Sequence, residues 1–214
     1  MRVIGKSLSL NNIKKTMKLK KKVIFFTFVL LSFVNVNNSH SIESDVFIQS
    51  TINRAHQALS DKFTKEEKIE KLKSIAKDTV DINGIGFYTL GSYKKNITSD
   101  QKKIYISLFE QYFLKTFSSR LAEYSNPEIQ VVSKKKLNEN YTMVLSKLIG
   151  TEQRPEVTIE WRVYTKNPDE LKIRDLIIEG LSLARTQKEE FSSIIENNDG
   201  DINALFNTLR EFIK

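Results

Sequence analysis

The octapeptide Val-Thr-Ile-Glu-Trp-Arg-Val-Tyr, residues 157–164, alternates between two sets of side chains without a break. Successive side chains of an extended chain point to opposite faces, so each set shares one face. The apolar set is Val157, Ile159, Trp161 and Val163. The other set contains a glutamate and an arginine. This pattern predicts a β-strand in a sheet that is apolar on one face and polar on the other.

Three further segments with the composition of strands surround this one. They are residues 129–132, 141–149 and 171–178. The turns between neighbouring segments are short, as at residues 138–140 and 166–169. Short turns suit antiparallel hairpins, whereas parallel strands need crossovers of a dozen residues or more. We therefore predict a four-stranded antiparallel sheet that ends at Gly180.

Helical patterns precede and follow this sheet. Two capping boxes, Thr64 with Glu67 and Thr98 with Gln101, mark helix starts. Apolar residues recur at spacings of three and four behind them. The predicted helices are residues 46–59, 64–80, 98–124, 184–197 and 202–213. Helices, then an antiparallel meander, then helices over one face of it predict an α+β fold.

The residue types needed for most enzyme chemistry are scarce. The chain has no cysteine and two histidines, His40 and His56. Without cysteine, a Cys–His pair or a zinc site built from Cys and His cannot be assembled, and a catalytic triad has only these two histidines to draw on. Gly84 and Gly86 lack the third glycine of a dinucleotide-binding turn. We therefore predict no catalytic residue, no metal ligand and no cofactor.

The net charge of +8 is confined to the N-terminus. Residues 1–41 carry eight basic residues and no acidic ones, and the remaining 26 basic residues are balanced by 26 acidic ones. Binding to nucleic acid phosphates needs a local excess of Lys and Arg. Lys134, Lys135 and Lys136 are interpreted as a solvated turn at the end of a strand. Nucleic acid is not expected as a partner.

The basic N-terminus has the features of a secretory signal peptide. A basic run at residues 18–22 precedes twelve apolar or small residues, 23–34, which is too few for a stable membrane-spanning helix. We place the signal peptide at residues 1–41, with cleavage after Ser41, and expect a soluble mature domain, 42–214. An uncleaved anchor is the alternative, and Met17 is an alternative start.

The helix predicted from residue 98 has an unusually wide apolar stripe rich in aromatic side chains. Neighbouring apolar residues recur four apart, at Ile104-Tyr105, Leu108-Phe109 and Tyr112-Phe113, followed by Phe117 and Leu121. One interpretation is a central core helix. The other is that part of the stripe lines a cavity.

Two segments resemble the MlaC/toluene-tolerance family. The first is residues 85–93, followed by residues 97–101. The second, residues 173–183, contains the pattern Asp-x-x-x-Glu-Gly-x-Ser and leads into Gln187 and Phe191. The resemblance extends over about residues 45–213. The Asp175-to-Ser182 block is expected to shape the end of a strand and a turn.

The resemblance implies a periplasmic carrier of phospholipid between the outer and inner membranes, in an Mla-type lipid-asymmetry system. It implies three partners: phospholipid as cargo, an outer-membrane lipoprotein, and an inner-membrane ABC transporter with an MCE-type subunit. With no ATP-binding loop in the sequence, the direction of transport would come from those partners. An exported adaptor that binds protein instead of lipid is the alternative, and a periplasmic hydrolase is a third.

A lipid carrier needs a dry interior. Two acyl chains bury about 30 methylenes, on the order of 25 kcal/mol at ~0.8 kcal/mol each. An apolar sheet face opposed by an aromatic helix provides such an interior. The residues predicted to line it are Tyr105, Leu108, Phe109, Tyr112, Phe113, Trp161, Val163, Ile178, Leu181 and Phe191. Ordinary core packing is the alternative role for each.

Overall fold

A computed structural model describes residues 43–124, 126–152 and 154–214. The predicted signal peptide, its cleavage site and the alternative start at Met17 lie outside the described residues. Within the described part of the chain, none of the helices has the combination of length and apolar character needed to cross a bilayer.

Six α-helices are described, together with a short 3₁₀ turn at Tyr93–Lys95. They are α1 (Ser44–Ala58), α2 (Lys65–Thr79), α3 (Ile82–Thr89), α4 (Ser99–Leu121), α5 (Leu183–Glu196) and α6 (Ile202–Ile213). Both predicted capping boxes are present. The Thr98 hydroxyl accepts a hydrogen bond from the Gln101 N–H at 3.2 Å, and the Gln101 side chain accepts one from the Thr98 N–H at 2.9 Å. These bonds satisfy two donors that the first turn of a helix leaves free.

The sheet is antiparallel throughout, with its strands in chain order. The strands are β1 (Ile129–Lys136), β2 (Tyr141–Leu148), β3 (Val157–Tyr164), β4 (Lys172–Ile178) and β5 (Leu181–Ser182). The predicted α+β fold is confirmed, but the sheet has five strands instead of four. Glu179 and Gly180, with φ of 48° and 80°, form a two-residue turn that returns the chain to pair with β4. Gly180 therefore turns the sheet and does not end it.

The lysine run also differs from the prediction. Lys134, Lys135 and Lys136 lie within β1, paired with β2, and not in a turn. The ammonium group of Lys134 makes ion pairs with Glu43 and Asp45 at the start of α1. The hydrogen bond from Lys134 also lowers the pKa of Asp45. Lysines on an outer strand are typical, because their charge discourages unwanted pairing of strands.

The helices contact the sheet unequally. Helix α1 packs on β1 and β2, and α5 packs on β4, whereas α4 packs chiefly against the helices α2, α3 and α6. Tyr105 and Phe109 of α4 nonetheless belong to the same apolar cluster as Val144 and Val163 of the sheet. One large apolar cluster contains residues of α1, α4, α5, α6 and strands β2 to β4.

Candidate functional site

Four aromatic residues of α4 form a continuous ladder with one rung every four residues. The rungs are Tyr105, Phe109, Phe113 and Phe117, and their successive ring centroids lie 5.8, 6.2 and 5.6 Å apart. The first two rungs are 0% and 1% exposed. The last two are half-buried, at the margin of the core. The N-terminal half of the ladder is thus buried, and its C-terminal half is partly exposed.

The apolar face of the sheet shows the same gradient. Val163 and its cross-strand partner Ile173 are fully buried. Trp161, two residues before Val163 and paired with Val144 and Leu176, is half-buried. The half-buried apolar residues farthest from Val163 are Ile129, Leu148, Val157, Ile159 and Ile178. Cross-strand pairing joins Ile129 to Leu148, Leu148 to Val157, and Ile159 to Ile178.

The two gradients run in the same direction. At the buried end, the Asp81 N–H donates to the Ile173 carbonyl, which places the start of α3 beside the sheet. The Tyr105 hydroxyl reaches the Gly86 carbonyl of that same helix. At the other end, α4 ends at Leu121 and the next element of the chain, β1, begins at Ile129. We call the ladder and the apolar sheet face together the apolar layer, with a closed end at Tyr105 and Val163 and an open end at Phe117 and Ile129.

Polar atoms inside the apolar layer are bonded to each other. The Trp161 Nε1 donates to the Ser146 hydroxyl at 2.7 Å. At the closed end, the hydroxyl oxygens of Tyr105 and Thr89 are 2.8 Å apart, and each bonds to the Gly86 carbonyl, at 3.1 and 2.8 Å respectively. Burial raises the pKa of Tyr105, so its hydroxyl stays protonated. The layer therefore presents carbon surface, which suits an apolar ligand.

Helix α3 can reach Tyr105 because Gly86 has no side chain. A Cβ at that position would lie 2.9 Å from Cδ1 of Phe109 and 3.2 Å from Cδ1 of Ile106. The two helices therefore cross closely at this point. Gly86 lies in the first of the two segments that carry the family resemblance.

Comparison with known proteins identifies the family. The model of the family described as MlaC protein matches residues 47–211. The chain belongs to the MlaC family.

One curated relative and one solved structure span most of the chain. The intermembrane phospholipid transport system binding protein MlaC of Haemophilus influenzae is 24% identical over 195 residues, covering 86% of this chain and 90% of that protein. The phospholipid-binding protein of Ralstonia solanacearum, solved in complex with a phospholipid, has a similar fold, with a TM-score of 0.68 at 18% identity. That match covers 80% of this chain and 97% of the Ralstonia chain.

The Asp-x-x-x-Glu-Gly-x-Ser block of this MlaC family member makes structural contacts. The buried Asp175 carboxylate accepts hydrogen bonds from the Ser182 hydroxyl at 2.7 Å and from the Ala184 N–H at 3.0 Å. The Ser182 hydroxyl in turn caps α5 by accepting from the Arg185 N–H at 3.1 Å. The Glu179 carboxylate accepts from the backbone N–H of Thr158. These contacts hold a strand end and a turn, the role that the sequence predicted for the block.

The ten residues predicted to line a cavity fall into three groups. Four are fully buried at the closed end or beside it: Tyr105, Phe109, Val163 and Phe191. Five are half-buried at the margin of the core or toward the open end: Leu108, Tyr112, Phe113, Trp161 and Ile178. Leu181 is 59% exposed. Most of the ten are therefore brought together, and Leu181 lies at the surface.

Tyr112 is placed between helices. Its hydroxyl donates to the Gln187 Oε1 at 2.9 Å, and its ring contacts Phe191 and Phe212 at 5.8 and 4.8 Å. Burial, followed by the nearby charge of Glu190, raises the pKa of Tyr112. These contacts tie α4 to α5 and α6.

Several residues of the open end were not among the ten. Phe117 continues the four-residue spacing of the ladder, which is a signal that the sequence contains. Ile129, Leu148 and Val157 meet only through the pairing of three strands, and that pairing is not visible in any single segment.

Two clefts lie elsewhere on the surface. One, of about 440 Å³, lies between α3 and the sheet, and Tyr88, Leu137, Arg162 and Arg174 are among its lining residues. The other, of about 340 Å³, is lined mainly by charged and polar side chains that include Lys77, Glu110 and Lys172. Neither is lined by the aromatic ladder. Within residues 43–124, 126–152 and 154–214, no group of three or more His, Asp or Glu residues is arranged to hold a metal ion.

Proposed function

We propose that this chain is a periplasmic carrier that binds phospholipid in the apolar layer and moves it between the outer and inner membranes. Membership of the MlaC family supports this function. So do the intermembrane phospholipid transport role of the Haemophilus relative and the phospholipid bound to the Ralstonia protein. Binding, not catalysis, is the proposed activity, and the phospholipid is cargo and not a cofactor.

The observation that carries the proposal is that both walls of the apolar layer open toward the same end. A phospholipid that leaves a bilayer must rebury about 30 methylenes, on the order of 25 kcal/mol. Tyr105 and Phe117 are twelve residues apart on α4, which is about 18 Å along the helix axis at ~1.5 Å per residue. One leaflet of a bilayer has a hydrocarbon depth of about 15 Å, half of the ~30 Å core. The length of the layer, about 18 Å, is therefore sufficient for an acyl chain that occupies the hydrocarbon depth of one leaflet, about 15 Å.

Acyl chains would enter by separating the ladder from the sheet. Phe113 and Phe117 have no polar side-chain atom, and their rings stack on each other at an interplanar angle of 8°. Helix α4 is held mainly by other helices and not by the strands. Movement of these half-buried rings would thus expose apolar surface on both walls without breaking hydrogen bonds. The residues that we propose to contact lipid are nine of the ten predicted from the sequence, together with Phe117 and Ile159. Leu181 is left out because it is 59% exposed at the surface.

The route and the partners of the carrier belong to the same proposal. We propose that residues 1–41 are a signal peptide removed on export and that residues 42–214 form the working domain. An outer-membrane lipoprotein and an inner-membrane ABC transporter with an MCE-type subunit would supply and receive the lipid. The direction of transport would depend on those partners.

The test is co-purification of lipid. Residues 42–214 would be expressed in a Gram-negative host and purified without detergent, and phospholipid would be extracted with organic solvent and quantified by mass spectrometry. We expect near-stoichiometric phospholipid. Trp161→Arg places a charge on the half-buried sheet wall and should abolish the bound lipid. Leu137→Arg makes the same kind of change at a residue that is 43% exposed in the β1–β2 connection, and should leave the lipid unchanged.

A folded protein that never carries lipid, and takes none from vesicles, would exclude the carrier function. The adaptor function would then be the better account, because its apolar surfaces would serve a protein partner. Circular dichroism of both variants separates loss of lipid from loss of the fold.

A further inference from the structure

The two ends of the aromatic ladder are held by different kinds of contact. The Tyr105 ring carries a hydroxyl that is bonded to Thr89 and to the Gly86 carbonyl. The other three rungs are phenylalanines, which have no polar atom to anchor. A ring held by directional hydrogen bonds keeps its position, whereas a ring held by dispersion contacts can change rotamer when a ligand enters.

The anchored ring is also supported from behind. The ring of Phe206, on α6, stacks on Tyr105 at a centroid distance of 6.2 Å and an interplanar angle of 29°. Phe206 and Thr89 are 1% and 0% exposed. The ring of Tyr105 is therefore fixed by three helices, α3, α4 and α6, at the one place where the apolar layer is closed.

We propose that the ring of Tyr105 is the floor of the acyl-chain compartment and sets the longest acyl chain that this protein can bury. This inference rests on the proposed carrier function and adds a specificity to it. The distance of about 18 Å from Phe117 to Tyr105 slightly exceeds the hydrocarbon depth of one leaflet, about 15 Å. Chains of ordinary membrane length fit above such a floor, and longer chains must bend or leave methylenes in water.

If Tyr105 forms such a floor, the dependence of lipid loading on acyl-chain length should change abruptly at one chain length. A lipid exchanging between a bilayer and the protein gains nothing from an added methylene as long as both environments bury it. Past the floor only the bilayer buries the added methylene, so each one lowers loading of the protein by about fourfold. Occupancy should therefore be flat up to a limiting chain length and fall steeply beyond it.

The experiment is a competition among chain lengths. The purified and delipidated protein, residues 42–214, is incubated with fluid vesicles that hold equal amounts of monounsaturated phosphatidylglycerols with chains of about 14 to about 22 carbons. The protein is separated from the vesicles, and the bound species are quantified by mass spectrometry. Wild type should load the shorter species equally and discriminate against the longer ones by about fourfold per methylene.

Two variants of the floor and one control locate the break. Tyr105→Met replaces the fixed ring with a flexible side chain that can fold aside, so the limit should shift to longer chains. Tyr105→Phe keeps the ring and removes the anchor, so the fall beyond the limit should become shallower than in wild type. The control is Tyr88→Met, the same tyrosine-to-methionine replacement at a residue of α3 that is 44% exposed. It should leave the dependence of loading on chain length unchanged.

The outcomes separate this inference from the carrier function. Loading that does not depend on chain length in wild type overturns the floor and leaves the carrier intact. The floor is also overturned if loading begins to fall at the same chain length, and with the same slope, in wild type, Tyr105→Met and Tyr105→Phe. If Tyr105→Met does not fold, Tyr105→Phe decides, since an unchanged slope in that variant contradicts an anchored floor. No loading of any species by wild type removes the carrier function and the floor with it.

Discussion

Replacement of Asp175 by asparagine should destabilise the fold more than any other single isosteric change to a carboxylate. The Asp175 side chain is 2% exposed and accepts hydrogen bonds from Ser182 and Ala184 with separate oxygens, and Arg162 lies 3.4 Å away. Asparagine keeps one acceptor and turns an NH₂ group toward a donor. One charge-assisted hydrogen bond is lost, and a buried donor is left without a partner.

The expected loss is about 3 kcal/mol of unfolding free energy. Hydrogen bonds to charged groups contribute about 1.5–3 kcal/mol each, and an unsatisfied buried donor costs about 1–3 kcal/mol. The Arg162 pair adds little, because the Arg162 side chain is 40% exposed and solvent screens its charge. For a domain of this size, 3 kcal/mol corresponds to a fall in Tm of about 6–12 °C.

The measurement is urea unfolding followed by circular dichroism, with Asp78→Asn as the matched control. Asp78 makes an ion pair with Arg54 at 2.6 Å, but its side chain is 58% exposed. Exposed ion pairs contribute about 0–1 kcal/mol, so this control should be nearly neutral. Equal losses in the two variants would refute the assignment of Asp175 as the residue that fixes the β4–β5 turn and the start of α5.

Three further predictions each concern a single residue. Gly180→Ala should cost about 1–2 kcal/mol in urea unfolding, because φ is 80° and the penalty is one of backbone conformation, with no atom within 4 Å of the new Cβ. Gly86→Ala should cost about 1–3 kcal/mol, because its Cβ would overlap the Phe109 ring, and Phe109→Leu should recover part of that loss. Above pH ~10 the unfolded Tyr105 releases a proton that the folded protein retains, so unfolding free energy should fall as pH rises, and Tyr105→Phe should remove that component. Equal alkaline slopes of stability in wild type and Tyr105→Phe would contradict the raised pKa.

The strands and long helices could be predicted from local pattern because each has a period that burial requires. Residues 157–164 alternate because one face of β3 is apolar, and the two capping boxes mark the starts of α2 and α4. Helix α3 was not predicted, because Gly84 and Gly86 are poor helix formers. The Asp81 side chain, which accepts from the Gly84 N–H at 2.8 Å, and the close crossing at Gly86 outweigh that propensity.

The candidate site was predictable in composition but not in its division into closed and open ends. The same apolar stripe of α4 contains Tyr105, Phe113 and Phe117. A periodic sequence pattern therefore predicts the same burial for all three. Their burial differs because α3 and α6 cover the first, whereas the half-buried rings lie toward the C-terminal end of α4. That difference depends on the packing of elements far apart in the chain, which a local pattern does not contain.

The same division separates the contacts that hold the fold from the surface that we propose to bind lipid. Directional bonds are concentrated at the Tyr105–Thr89–Gly86 network and around Asp175, and these fix α3, α4, α5 and β4 to each other. The open end relies on ring stacking and aliphatic contacts, which have no fixed partner geometry. Acyl chains make contacts of that same kind, so lipid can replace the side-chain contacts of the open end at little net cost. A carrier must both take up and release its cargo, so the free energies of its empty and loaded states must be similar. If hydrogen bonds fixed the open end, lipid entry would break them and the two free energies would differ.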